Sequence, residues 1–307
     1  MPQLNLAGLK IGHANHPQFQ TGCTVILCPP GTVASVDVRG PAPGSRESAL
    51  LAVDKPIDYL HAIVLTGGSA FGLATADGVM NYLADNDIGH ETPVRKIPLV
   101  AAAVVYDLLL SQGVTPDAGM GYAACQVAGA TDVAQGSVGA GRGVTVGKWN
   151  GFETMMKSGF GLASLQEGDL VVGAAAVVNA IGDVLKADGT ILAGARLQNG
   201  RWCAEDDPLR RFPFAVRPNP VTNTTLVVVY TNASLNKILA YRLAQRAHDG
   251  LAIAIRPVHT SHDGDTTYAL ATGSVEANFD LVANAAVEVV AEAIRNAVRY
   301  AQAVDSR

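Results

Sequence analysis

Three polar residues, Asn223, Thr224 and Thr225, stand directly before a strongly apolar segment. A threonine hydroxyl inside a chain is a weak nucleophile with no base of its own. A cut before Thr224 would give that residue an α-amine with a reference pKa of about 7.7–8.0, close enough to neutrality to accept a proton. One residue would then supply both nucleophile and base. On local sequence alone, however, an Asn-Thr pair before a strand is typical of an ordinary loop.

A second group of chemically capable residues lies in residues 259–265, where two histidines and two aspartates are crowded together. Zinc-binding histidines on a helix are usually spaced by four, whereas His259 and His262 are three apart and Gly264 indicates a turn. We therefore expect no metal here. Asp263 and Asp265 keep two interpretations, a hydrogen-bonded turn or a pair of carboxylates directed at a nucleophile.

A glycine-rich segment at residues 139–148 ends in Lys148 and superficially resembles a phosphate-binding loop. Arg142 stands where that loop needs its first glycine, and Trp149 follows the lysine where Ser or Thr is required. The segment therefore does not predict a nucleotide site. Taken alone, Lys148 would be a solvated surface residue.

Two sequence signatures of a catalytic serine are also incomplete in this chain. Residues 67–71 are not a nucleophile elbow, because Phe71 replaces the closing glycine. Ser234 and Lys237 match a short Ser-x-x-Lys pattern without its partner motifs. Ser234 stands where a helix would begin, so we predict that it caps that helix.

The elements that must position these residues alternate between apolar strands and helices with one apolar face. The patterns predict strands at residues 61–66, around 104–106, at 170–179, 183–185 and 224–231, and helices at 69–83, 234–253 and 280–303. The strands at 170–179 and 183–185 look like neighbours joined by a turn, and Phe71 is expected on the apolar face of its helix. Strands buried on both faces with one-sided helices predict a layered α/β fold. No boundary divides the chain, so we predict one domain.

The composition excludes several classes of protein. Of 307 residues, 49% are hydrophobic and only 16% are charged, which suits a large core and a surface partly covered by other copies of the chain. The net charge of -5 without a basic block argues against a nucleic-acid partner. No stretch is long and apolar enough to span a bilayer and no secretory signal is visible, so we expect a cytoplasmic protein. The four scattered cysteines indicate neither a zinc site nor a disulfide framework.

A series of short motifs follows in order along nearly the whole chain, at residues 66–73, 103–107, 139–148, 223–235, 247–251, 257–266 and 269–273. This series resembles the P1 (S58) peptidase family, which includes L-aminopeptidase/D-esterase, the β-peptidyl aminopeptidases and the nylon-oligomer hydrolases. Thr224 directly after Asn223, and the two aspartates of Asp263-Gly264-Asp265, make the chain more similar to the nylon-oligomer hydrolase branch. They do not identify the natural substrate.

The resemblance implies a four-layer αββα sandwich of the N-terminal-nucleophile type, made as a single precursor. Autocleavage between Asn223 and Thr224 would divide the domain into residues 1–223 and 224–307, which remain folded together. A homotetramer is implied, and neither a metal nor an organic cofactor.

The resemblance also assigns roles to individual residues. Thr224 would attack the amide carbonyl and form an acyl-enzyme. Asn179 would stabilise the oxyanion. Lys148 would hold the Thr224 hydroxyl or lower the pKa of its amine. Tyr106 would lie near the nucleophile.

Asp263 and Asp265 would orient Thr224 and accept hydrogen bonds from its ammonium form. Glycine-rich segments would let the backbone pass close to the substrate, at Gly68, Ser69 and Gly141.

The leading expectation is an aminopeptidase or amidase acting on small peptides or ω-amino-acid amides. Acyl transfer of the ornithine-acetyltransferase kind, and a binding protein that never matures, remain as alternatives.

Overall fold

The structure is a computed structural model that describes residues 4, 6, 8–205 and 222–304 of the chain. In chain order, the strands of these residues are β1 (Lys10–Asn15), β2 (Gly22–Leu27), β3 (Val33–Val38), β4 (Ser45–Arg46), β5 (Ala62–Thr66), β6 (Val100–Val104), β7 (Thr145–Val146), β8 (Met156–Lys157), β9 (Phe160–Glu167), β10 (Leu170–Asn179), β11 (Asp183–Leu185), β12 (Ile191–Ala193), β13 (Thr224–Ala233), β14 (Ile255–Arg256) and β15 (Thr266–Val275). The helices are α1 (Thr75–Asp85), α2 (Ala118–Gln126), α3 (Lys237–Ala254) and α4 (Phe279–Val304).

Two five-stranded sheets form the centre of the molecule. The first has the order β1-β2-β5-β6-β4, and the second has the order β3-β15-β13-β10-β9. Each sheet contains one parallel pair, β5 with β6 and β13 with β15, and its other pairs are antiparallel. Strand β13 is therefore the central strand of the second sheet.

The two sheets pack face to face, and helices cover their outer faces. A buried apolar cluster between the sheets joins β5 and β6 to β10, β13 and β15, with Tyr230 and Tyr268 among its largest side chains. Helices α1 and α2 pack on the first sheet, and α3 and α4 pack on the second. The order helix–sheet–sheet–helix confirms the predicted four-layer αββα sandwich.

Strands β10 and β11 are consecutive but do not pair, so the expectation that they are neighbours in one sheet is wrong. Strand β11 instead lies between β12 and β14 in a separate three-stranded sheet. The Asp183 carboxylate explains this change of direction, because it accepts hydrogen bonds from the Trp149 indole and the Ala195 N–H, both at 2.8 Å. The turn after β10 is thereby fixed outside the main sheet.

Local boundaries differ from the sequence predictions at three places. Residues 69–74 form a 3₁₀-helix before α1, which leaves the Phe71 side chain 73% exposed. Strand β6 ends at Val104, so Tyr106 lies beyond the strand. Helix α3 is capped by Asn236 rather than Ser234, because the Ser234 N–H donates to Val275 O at 2.7 Å and extends the sheet.

Among the described residues, no helix combines the length and the apolar character that crossing a membrane requires.

Candidate active site

Thr224 is the first residue of the central strand β13, and it lies at an edge where several strand ends meet. In the antiparallel register of β10 and β13, Thr224 is paired with Asn179, the last residue of β10. The parallel partner β15 begins at the same edge, directly after Asp265. Thr224 is 8% exposed. The topology thus assembles residues from widely separated segments around one hydroxyl group.

The Thr224 hydroxyl lies beside the peptide bond that precedes it. Its Oγ1 donates to Asn223 O at 2.5 Å. The N–H of Gly264 donates to the same carbonyl oxygen at 2.9 Å. Asn223 also forms a parallel bridge with Asp263, which fixes the backbone on both sides of the junction. The intact chain therefore holds a hydroxyl group against a carbonyl that accepts two hydrogen bonds.

Both ends of the Asn179 side-chain amide are bonded. The nitrogen Nδ2 donates to Tyr106 O and Thr222 O, both at 3.0 Å. The oxygen Oδ1 accepts from Lys148 Nζ at 2.8 Å and from Thr145 N–H at 3.1 Å. Four bonds in a buried environment define one orientation of the amide.

Lys148 is buried, although the sequence alone suggested a surface residue. Burial lowers the pKa of its ammonium group to about 7, against the opposing attraction of Asp263. Its Nζ donates to Asn179 O at 3.0 Å as well as to Asn179 Oδ1. A neutral amine has two hydrogens for these two acceptors and keeps a lone pair that can take a proton. Lys148 is thus suited to act as a base near neutral pH.

The segment around Asp263 and Asp265 is both a turn and a carboxylate pair. Asp263 Oδ2 accepts from Thr260 N–H at 2.8 Å and from its hydroxyl at 2.7 Å. Burial, reinforced by the negative charge of Asp265, raises the pKa of Asp263 to about 6. Asp265 accepts from Thr225 N–H at 2.6 Å and contacts His259 Nδ1 at 2.7 Å. In the intact chain the Asp265 carboxylate therefore holds Thr225, directly after Thr224, while the Asp263 carboxylate closes the turn at Thr260.

The contact of His259 with the Asp265 carboxylate was not predicted from the sequence, where His259 was considered only as a metal ligand. His259 lies against the Asp265 carboxylate and stacks edge-on against His248 at 4.8 Å between ring centroids. Within the ranges that the structure describes, no three His, Cys, Asp or Glu side chains form a group that could hold a metal ion.

A cleft of about 270 Å³ opens onto the junction. It is lined by Ala42, Pro43, Gly44, Ser69, Ala70, Val104, Tyr106, Thr222, Asn223 and Thr224. None of these described lining residues carries a charge. Two of the residues predicted from the sequence, Ser69 and Tyr106, therefore lie in the same cleft wall as Thr224.

The segment that brings Ser69 to the cleft depends on Asp107, which sequence reasoning missed. Gly68 N–H donates to Asp107 Oδ1 at 2.7 Å, and Ser69 N–H donates to Val105 O at 3.0 Å. Gly68 has a φ of 82° and Ser69 a φ of 53°, so the turn is in the left-handed region. Asp107 is buried, and burial raises its pKa to about 6. A buried acid directly after Tyr106 was the available sequence signal.

Gly141 is placed differently from the other predicted substrate-binding residues. It is buried in a short 3₁₀-helix, and a Cβ there would lie 2.2 Å from Phe160 N and 2.6 Å from the Gly159 carbonyl carbon. Its lack of a side chain therefore serves close backbone packing against β9. The structure does not bring it into the wall of the cleft at Thr224.

Similarity to known proteins agrees with this architecture. The sequence pattern of peptidase family S58 matches residues 4–307. A Mycobacterium leprae protein named as an uncharacterised aminopeptidase is 39% identical over 292 residues, covering 89% of this chain and 79% of the relative. A 6-aminohexanoate-oligomer endohydrolase of Paenarthrobacter ureafaciens is 32% identical over 287 residues, covering 90% and 76%.

Solved structures show the same fold at lower identity. A β-aminopeptidase of a Burkholderia species has a TM-score of 0.71 at 23% identity, covering 96% of this chain and 85% of the other. An L-aminopeptidase D-Ala-esterase/amidase of Ochrobactrum anthropi, described as a variant of the Ntn-hydrolase fold, has a TM-score of 0.72 at 19% identity, covering 97% and 86%.

Fold and sequence together define a hydrolase of peptide or amide bonds with a variant of the Ntn-hydrolase fold. The chain belongs to peptidase family S58.

Proposed function

We propose that this protein is a self-processing amide hydrolase that cuts its own chain between Asn223 and Thr224 and then uses Thr224 as its N-terminal nucleophile. The supporting observation is the 2.5 Å contact between Thr224 Oγ1 and Asn223 O in the intact chain. A hydroxyl this close to the carbonyl of the preceding residue needs little movement to reach its carbon.

Maturation begins when Thr224 Oγ1 attacks the carbonyl carbon of Asn223. The hydroxyl proton passes to a base, for which the neutral amine of Lys148 is suited, and the carbonyl π electrons move onto oxygen. Collapse of this intermediate breaks the C–N bond, and the departing nitrogen of Thr224 takes a proton. The resulting ester is hydrolysed by water, which leaves residues 1–223 with a carboxylate and residues 224–307 with a free α-amine.

Turnover repeats the same chemistry on a substrate amide. The free α-amine of Thr224 now accepts the hydroxyl proton as Oγ1 attacks, and the substrate's amine leaves with a proton. Water then releases the acid from the ester on Thr224. Asp263, whose pKa burial and the charge of Asp265 raise, can pair in its ionised form with the ammonium form of the amine.

Asn179 gains its catalytic role through cleavage. In the intact chain, one of its amide hydrogens is held by Thr222 O. Once the new C-terminus moves away from the nucleophile, that N–H becomes available to the oxyanion of a substrate. Lys148 and Thr145 keep the amide oriented from the other side, so no reorganisation is needed at the moment of reaction.

The cleft indicates which amides to test. None of its described lining side chains is a charged partner for a group next to the reacting bond, and the charges that cleavage adds to the lining are those of the new termini at Asn223 and Thr224. We therefore expect amides with uncharged groups on both sides of that bond to be preferred over substrates with an adjacent free ammonium. This would be endohydrolysis, the activity named for the Paenarthrobacter relative, whereas the mycobacterial relative is named an aminopeptidase. We also expect the mature protomers to assemble as a tetramer in the cytoplasm.

Intact-mass analysis of the purified protein tests self-processing. The wild-type chain should give two fragments that meet at Asn223-Thr224. A Thr224→Ala variant should stay whole, and Thr224→Ser should still be cut because the hydroxyl remains. Thr225→Ala is the matched control, since the neighbouring buried hydroxyl has no hydrogen-bond partner within the described residues. Cleavage of Thr224→Ala at the same bond would refute Thr224 as the nucleophile.

Activity assays on the mature protein separate hydrolysis from the alternatives. Release of free acid from amino-acid nitroanilides, from ω-amino-acid amides and from the N-acylated analogues of both supports amide hydrolysis. Formation of acyl-ornithine from an acylated donor would instead indicate acyl transfer. A chain that stays whole and turns over none of these compounds would indicate a binding protein.

A further inference from the structure

Gly264 lies between the two carboxylates of the Asp-Gly-Asp segment and touches both partners of the cleavage reaction. Its N–H donates to Asn223 O at 2.9 Å. A Cβ at this position would lie 2.8 Å from Thr224 Oγ1 and 2.6 Å from Ala42 O. The φ of Gly264 is outside the left-handed region. The residue is therefore required for space rather than for backbone conformation.

We propose that Gly264 is a catalytic residue of maturation. Its N–H stabilises the oxyanion that forms on Asn223 O, and its lack of a side chain leaves room for the attacking Thr224 hydroxyl. This inference rests on the proposed self-processing and identifies the donor that serves it.

The chemistry requires such a donor at the carbonyl oxygen. As the bond from Thr224 Oγ1 to the Asn223 carbon forms, the carbonyl π pair becomes a full negative charge on oxygen. A preorganised N–H within about 2.7–3.1 Å of that oxygen stabilises this charge without further movement, and losing one donor of this kind slows a reaction by about 10²- to 10³-fold. The Gly264 N–H is inside this range.

Asn179 is not placed to perform this task in the intact chain. Both hydrogens of its amide are taken by the carbonyl oxygens of Tyr106 and Thr222 rather than by Asn223 O. The two donors therefore divide the work. Gly264 serves the oxyanion of self-cleavage, and Asn179 serves that of substrate turnover after Thr222 O has moved away.

The backbone around Gly264 is anchored from both sides, which keeps its N–H directed at the junction. Asp263 O accepts from Ala42 N–H at 3.1 Å. Asp265 O accepts from the N–H groups of Arg39 and Gly40, also at 3.1 Å. Replacing the N–H of Gly264 by an ester oxygen leaves both bonds to Asp265 O intact and weakens only the Asp263 carbonyl as an acceptor for Ala42.

Replacing Gly264 by glycolic acid in cell-free synthesis tests the proposal directly, because an ester removes the N–H with almost no change of shape. The matched control is glycolic acid at Gly129, whose N–H donates to Ile11 O at 3.0 Å far from the junction. We expect self-cleavage at 264 to slow by about 10²-fold or more, while the control matures at nearly the wild-type rate. Equal rates for both esters overturn the proposal.

Two alanine variants provide a second measurement that needs no unnatural residue. Gly264→Ala places a methyl group against Thr224 Oγ1 and should slow self-cleavage. In Gly129→Ala the new Cβ has its nearest neighbour at 3.8 Å, so this variant should mature normally. Circular dichroism of each chain in a Thr224→Ala background shows whether it folds. A folded Gly264→Ala chain that matures at the wild-type rate overturns the proposal.

The outcomes also separate this inference from the function on which it rests. A wild-type chain that stays whole, or a Thr224→Ala chain that is cut, rejects self-processing by Thr224 and the role of Gly264 with it. A wild-type chain that is cut, together with undiminished cleavage of either folded Gly264 variant, rejects only the role of Gly264.

Discussion

Replacing Lys148 by methionine should make the intact protein more stable near neutral pH while it stops self-cleavage. The pKa of Lys148 falls from its ordinary 10.5 to about 7 because the ammonium group is buried. At about 1.36 kcal/mol per pKa unit, this corresponds to a cost of about 5 kcal/mol for the folded state at or below pH 7. Methionine fills a similar volume without a charge.

The expected gain is smaller than this cost, because the substitution also removes two hydrogen bonds to Asn179. Removing a donor from buried hydrogen-bond acceptors costs about 1–3 kcal/mol. We therefore expect Lys148→Met to be more stable than its parent by about 2–4 kcal/mol at pH 7. Since the folded pKa lies below the unfolded one, the unfolded chain binds more protons between pH 7 and 10.5, and the stability of the parent rises with pH over this window. The advantage of methionine should disappear, or reverse, toward pH 10.

Urea unfolding at pH 7 and pH 10 measures both values. Both proteins carry Thr224→Ala, so that every chain is intact and only residue 148 differs. A Lys148→Met protein that is less stable than its parent by the same amount at both pH values would refute the argument, since it would show that the buried ammonium carries no penalty. In the Thr224 background, the same substitution should leave the chain uncut.

Three further predictions concern rates. The rate of self-cleavage, followed by gel densitometry, should rise with pH with a midpoint near 7, where Lys148 loses its proton. Asp263→Asn removes the negative charge that raises the pKa of Lys148, so the midpoint should move to lower pH. An unchanged midpoint would contradict Lys148 as the base. Asp107→Ala should raise KM by about 10-fold with maturation retained, because the Gly68 turn loses a buried acceptor, whereas Asp107→Asn keeps an oxygen for the Gly68 N–H and should restore KM. Finally, kcat/KM should be higher for amides with uncharged flanks than for analogues with a free ammonium beside the reacting bond, and the opposite order would indicate a charged partner outside the described lining of the cleft.

The sequence by itself determined the main helices of this protein and several of its buried strands. The apolar runs that become β5, β10 and β13, and the one-sided patterns that become α3 and α4, were predicted within a few residues. Helix α1 begins six residues later than predicted, and strand β15 was not predicted. The predicted elements depend on neighbours close in the chain, which a linear pattern records. The position of Thr224 at the start of a buried strand was visible for the same reason, and its significance came from the ordered series of motifs around it.

Only the tertiary structure decided which groups of the site are buried and which of them are hydrogen-bonded to one another. Lys148 changes from an expected surface cation to a buried amine with a pKa of about 7. Asp107, which was not predicted as a functional residue, holds the turn at Gly68. The amide of Asn179 is occupied by Tyr106 O and Thr222 O. Burial and hydrogen-bond partners are properties of distant segments brought together, and no local pattern encodes them.

The junction itself shows the division most clearly. The residue types of Asn223, Thr224 and Gly264 were legible from the chain, together with the possibility of an N-terminal threonine. That the Gly264 N–H meets Asn223 O, and that its missing side chain leaves room for the Thr224 hydroxyl, follows from the way the segment before β15 packs beside the start of β13. The sequence determined which groups are present, and the folded chain determined which of them face the same bond, because contacts between residues forty positions apart exist only after the sheet has formed.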